Sequence, residues 1–146
     1  MAITTNAIAN SFKKELLEAK HNFTQTSGDQ FKIALYTNSA TLGKSTTSFT
    51  TDHQVSNTGQ YTSGGGKLAK GSPQTSVASS VAIVDFADRS FTGVTLTARG
   101  ALFYNTSNSN TAVAVLDFGG DKTATAGTFT IQFPAFTTSA AILRIS

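Results

Sequence analysis

Alternation with a period of two constrains this chain more than any other feature. In "GTFTIQFP" (127–134), Phe129, Ile131 and Phe133 occupy every second position. "FKIALYT" (31–37) repeats the pattern with Phe31, Ile33 and Leu35. Successive side chains of a strand point to opposite faces, so segments of this kind bury one face and solvate the other. "SVASSVAIVDF" (76–86), "VTLTARGALFYN" (94–105), "TAVAVLDFG" (111–119) and "AAILRIS" (140–146) read as further strands. Ser-, Asn- and Gly-rich punctuation such as "ADRS" and "NTSNSN" separates them. Short strands at this spacing predict a mainly β chain, folded as an antiparallel β-sandwich or jelly-roll. Between residues 38 and 59 the chain is polar and has few large apolar groups, which predicts a long extended loop of the kind that usually carries function.

Only the N-terminus breaks the β pattern. Ile8, Phe12, Leu16, Ala19 and Phe23 recur at spacings of four and three, one stripe of a 3.6-residue period. They predict an amphipathic helix over residues 5–20, with Thr4, Thr5 or Asn6 as its cap. The chain thus reads as one domain, 1–146, with residues 1–23 as an N-terminal helical arm. The strands already supply an adequate set of inward Phe, Ile, Val and Leu residues. The apolar face of the arm is therefore a candidate partner interface, anchored at Ile8, Phe12, Leu16, Ala19 and Phe23.

Composition narrows the function. At 146 residues, roughly 70% of the unfolded surface can be buried, enough for one core without staples. There is no cysteine, which excludes disulfides, thiolate metal sites and a cysteine nucleophile. No apolar run approaches the ~20 residues of a membrane span. The start lacks the basic cluster and apolar block of a secretory signal, so synthesis in a cytoplasm is expected, with no membrane partner. The net charge of +3 sits on only 13% charged residues, and the lysines are scattered along the chain. No basic stripe is expected, and no nucleic-acid partner.

"TSGGGKLAKG" (62–71) invites comparison with a phosphate-binding loop. That loop needs G-x-x-x-x-G-K-[ST] opening a helix. Here Tyr61 stands where the first glycine should be, and Leu68 follows Lys67. The glycines instead predict a turn or bulge with positive φ. His21 and His53 have no second ligand at metal spacing and read as surface residues. "VDFAD" holds Asp85 and Asp88, which would suit a cation site or a glycosidase pair. The alternation, however, places Asp85 on the solvent side and Asp88 in the following turn. Most of the phenylalanines fall within or beside strands and read as core. These readings leave no catalytic residue, cofactor site or metal site, and the chain is expected not to be an enzyme.

Several segments also resemble a known family. "NAIANSFKKELLEAKHNF", "FKIALYT", "TGQYTSGGGKL", "VDFADRSF", "TARGALFYN", "AVAVLDFGGDK" and "GTFTIQFP" occur in this order. Together they resemble a family of tailed-bacteriophage virion structural proteins. The resemblance spans nearly the whole chain but carries no catalytic motif and transfers no site residues. It implies a particle component, located in the virion after synthesis in the host cytoplasm. The favoured expectation is a capsid cement or decoration protein that stabilises contacts between major capsid proteins. A symmetric homo-oligomer is expected, with a trimer preferred. The alternative is a tail, neck or baseplate component or a receptor-binding adhesin, and a polysaccharide-degrading enzyme ranks third.

Overall fold

The structure is a computed structural model that describes residues 3–146, with the backbone alone at 72 and 73. It is mainly β and antiparallel, with one short N-terminal helix, in keeping with a β-sandwich. The elements run β1 (Ala7–Ile8), α1 (Asn10–Leu17), β2 (Phe31–Tyr36), β3 (Gly66–Lys67), β4 (Lys70–Ala78), β5 (Val81–Phe86), β6 (Arg89–Asn105), β7 (Thr111–Ile131) and β8 (Leu143–Ile145). They form a five-stranded sheet in the order β1-β7-β6-β2-β3 and a three-stranded sheet in the order β4-β5-β8.

Three phenylalanines join the sheets. Phe31 from β2, Phe103 from β6 and Phe86 from β5 meet edge to face, with ring centroids 5.0–5.5 Å apart. That arrangement sets the positive edge of one ring against the negative face of the next. The opposite face of the large sheet is also covered. The 38–59 stretch has no helix or long strand, but it is no free loop. Phe49 stacks on Tyr104, and the Tyr36 hydroxyl donates to the Thr50 carbonyl. Ala40, Leu42 and Val55 are buried within it. This explains why β2 is buried on nearly every residue instead of alternating.

Two expected strands divide differently. The 76–86 segment is a hairpin, because Ser79 (φ 48°) and Ser80 (φ 64°) reverse the chain between β4 and β5. Positive φ at both central residues matches the strand twist, as in a type I′ turn. Conversely, the segments expected at 111–119 and 127–134 fall in one strand, β7, which ends at Ile131. The glycines between them do not end it. In the register, Ala98 faces Lys122 and Gly100 faces Asp117, so Arg99 alone stands opposite residues 118–121. The surplus is absorbed as a bulge, with Gly119 at φ 79°.

The N-terminal segment also departs from expectation. The helix is Asn10–Leu17, not 5–20. Ile8 belongs to a strand and pairs with Ala114 of β7. None of Thr4, Thr5 and Asn6 caps the helix; Ala9 holds that position without a side-chain bond, and the Asn10 amide donates to the Lys44 carbonyl. At the other end, Lys20 N–H donates to Glu15 C=O and Ala19 N–H to Leu16 C=O, the paired bonds of a Schellman cap. Ala19 therefore lies beyond the helix at φ 58°. Ile3, Ala9 and Phe12 belong to the main core, so the segment is anchored on the body at these three positions.

Candidate functional site: an apolar groove beside the helix

β5 alternates so that Ala82, Val84 and Phe86 share one face. Phe86 is fully covered by the sandwich core, while Ala82 is exposed. The inner face of the small sheet therefore overhangs the end of the sandwich. In register, Val77, Ala82 and Ile145 form one row across β4, β5 and β8. Helix α1 runs beside this overhang and leaves a groove of about 610 Å³. Ile8, Phe12, Leu16, Leu17 and Phe23 line its helix side.

The exposure pattern is concentrated here. Leu17 is 91% exposed, Val77 72% and Ile145 59%. These are the large apolar side chains most open to solvent among the described residues, and all three line this groove. Scattered exposed apolar residues are ordinary, but a contiguous patch marks a contact surface. The charged residues of the lining are Lys13 and Arg144, both basic.

Four of the five residues expected at a partner interface, Ile8, Phe12, Leu16 and Phe23, reach the groove. Their roles differ from a free helix face. Phe12 is 4% exposed and forms part of the core. Phe23 stacks on Phe31 at 4.8 Å. Ala19 is absent from the lining, because the Schellman cap turns it away. Leu17, Val77, Ala82 and Ile145 were missed. Leu17 widens the stripe beside Leu16, a signal present in the sequence. The others needed the Ser79–Ser80 hairpin, which carries no Gly or Asn to announce it.

His21 is a further correction. It is 6% exposed, not a surface residue. Asn105 orients it: the Asn105 Nδ2 donates to His21 Nδ1 at 3.0 Å and to Asp29 Oδ2 at 2.7 Å, while its Oδ1 accepts from Ser107 N–H. His21 Nδ1 is thus the acceptor, and its Nε2–H faces Glu15 Oε2 at 2.6 Å. The network ties the segment after α1 to the tip of the β6–β7 hairpin. His53 is exposed, at φ 59°.

The remaining candidates can be placed. Gly64 (φ 94°) and Gly65 (φ 79°) form the expected turn and lead into β3, not into a helix. Asp85 is half-buried against Gly71 and so is not simply solvent-facing. Asp88 accepts from Phe133 N–H at 2.8 Å. Among the described residues, no three His, Asp or Glu side chains converge as a metal site. No described helix is long and apolar enough to cross a membrane. The scattered cations do meet in one place: Lys67, Lys70 and Arg89 line a shallow cleft. Phe86, Phe91, Phe103, Phe129 and Phe133 are buried, and Phe118 packs partly against the core. Comparison with protein-family models, curated proteins and solved structures finds no match to this chain.

Proposed function

We propose that this chain is a non-enzymatic structural component of a tailed-phage virion, a cement or decoration protein that joins major capsid proteins. The observation that carries the reading is the convergence of Leu17, Val77 and Ile145 on one groove. The family resemblance of the ordered segments supports it. Covering these three side chains would contribute on the order of 5 kcal/mol before the costs of association. A protein that binds only the assembled shell stabilises that shell by mass action.

The occupant of the groove in this reading is a segment of the major capsid protein with apolar anchors and flanking carboxylates. Charge selects it. A two-fold contact between the grooves of two copies would set Lys13 and Arg144 against the same cations. A homotrimer, the preferred oligomer, would assemble through other surfaces.

The test is incorporation. Leu17→Glu and Ile145→Glu should fold normally, because both positions are exposed, and should be missing from virions grown with the variant protein. Full incorporation of both variants would overturn the groove as the attachment site. Antibody labelling of intact virions should mark the capsid surface. Labelling confined to the tail, neck or baseplate would replace cement with the tail-component reading.

A further inference from the structure

A second site lies away from the apolar groove and rests on different observations. The cleft formed by the 25–30 segment, the β3–β4 connection and the start of β6 has a volume of about 480 Å³. Its polar lining is Gln25, Thr26, Gln30, Lys67, Lys70 and Arg89, with no carboxylate. None of the three cations takes part in an ion pair found among the described residues. Lys32 is the direct cross-strand neighbour of Lys67, so a fourth cation stands close by. Like charges placed opposite each other across strands are unfavourable unless something offsets them.

Arg89 is held between two neighbours. Its Cζ lies 4.8 Å from the centre of the Phe91 ring. Its other neighbour is Gly66, where an added Cβ would come within 2.3 Å of the Arg89 Nε. Only glycine leaves room for the guanidinium. The Nε is buried and has no hydrogen-bond partner. A buried N–H of a charged group without an acceptor is costly, and an anion beside the guanidinium would offset the uncompensated charge. Lys70 is positioned as well, by donating to the Thr24 carbonyl at 2.9 Å.

We propose that this cleft binds a phosphate or sulfate group. The planar fork of Arg89 presents parallel donors to a tetrahedral oxyanion, and Lys67 and Lys70 supply point charges beside it. Gln30 adds a neutral polar group at the margin, while the Gln25 amide is committed to the Gly71 carbonyl and the Gln74 N–H. The group is either a free inorganic anion or an ester on a sugar, and the chemistry at the cleft is the same.

The experiment is a titration of the isotope-labelled full chain, followed by NMR, with inorganic phosphate and with glucose 6-sulfate. Chloride at matched ionic strength is the control. Both ligands should move the Arg89 Nε–H resonance and the amides of residues 66–70, and chloride should not. Tighter binding of glucose 6-sulfate would assign the site to a sulfated sugar, and tighter binding of phosphate to the free anion. Arg89→Gln should weaken binding by about tenfold, the usual worth of one charge-assisted hydrogen bond. Lys67→Gln, at an exposed position that leaves the fold intact, should also weaken it. Lys122→Gln, outside the cleft, should change nothing. Shifts equal to those in chloride, or binding unchanged in both Arg89→Gln and Lys67→Gln, would overturn the proposal.

Discussion

Asn105 and His21 are 84 positions apart in sequence and meet in the interior at 3.0 Å. Asn105 is fully buried, and each of its side-chain polar atoms is used. Asn105→Ala should therefore strand His21 Nδ1 and remove one of the two donors to Asp29 Oδ2, which keeps the Asn22 N–H, together with the acceptor of Ser107 N–H. The expected loss is about 2–4 kcal/mol in chemical denaturation. His21→Ala should cost less than the sum of the single effects when combined with Asn105→Ala, because the pair shares one network. Strict additivity would show that the two residues act independently.

Tyr36, Tyr61 and Tyr104 are the three tyrosines of the chain, and burial pushes each phenol upward from its ordinary value. Tyr104 reaches about 12. A phenol with a raised value in the folded state favours the protonated, folded form. Its contribution is fully present below the unfolded value near 10 and is lost as pH rises toward the folded value. Stability should therefore be insensitive to these groups below about pH 10 and fall between pH 10 and 12. Ultraviolet titration of the phenolate should show no tyrosine ionising normally while the protein is folded. A phenol titrating at its ordinary value in the native state would contradict the burial.

Gly65 and Gly93 both have positive φ, yet they should respond differently to alanine. At Gly65 a Cβ would lie 1.9 Å from the Ile33 carbonyl oxygen. Backbone must move, and a loss of about 3–5 kcal/mol is expected. At Gly93 a Cβ meets nothing within 4 Å. There only the left-handed conformation is penalised, by about 1 kcal/mol. Equal melting temperatures for the two variants would refute this distinction.

Ala19, Ser79 and Ser80 adopt left-handed backbone without being glycine or asparagine. Ala19→Gly at the Schellman position should stabilise the chain by about 0.5–1 kcal/mol. Replacing Ser79–Ser80 with Asn–Gly should add a similar amount in the two-residue hairpin. Thermal melting measures both. A lower melting temperature in either variant would show that the present side chain makes a contact worth more than the strain.

What could be read from the sequence followed periodicity. The mainly β class and the bounds of β2 were legible from Phe31, Ile33 and Leu35. The tip at 106–110 was legible from its Asn and Ser residues. The failures occurred where local chemistry and tertiary context disagree. Serine is a weak signal for an I′ turn, so one strand was read where there are two. Gly119 and Gly120 normally punctuate, but a bulge carried β7 through them. Ile8 obeyed a helical spacing, yet pairing with Ala114 took it into a sheet. The groove was half legible for the same reason: its helix side follows a period, whereas its sheet side depends on a hairpin partner and on β8, about sixty residues later.

The β6–β7 hairpin also sets the order in which the chain can fold. Its two strands close over the short tip at 106–110, a local event that costs little loop entropy. Among the described residues β1 pairs only with β7, and β2 pairs with β6 and the two-residue β3. The first third of the polypeptide, made first, therefore lacks its main strand partners, β6 and β7, until the last third exists. Pulsed hydrogen exchange during refolding should protect the β6–β7 amides before those of β2, and earlier protection of β2 would exclude this order. During synthesis Phe12, Phe23 and Phe31 must wait, exposed, for a template still on the ribosome, so the growing chain's greatest hazard of association falls before it is complete.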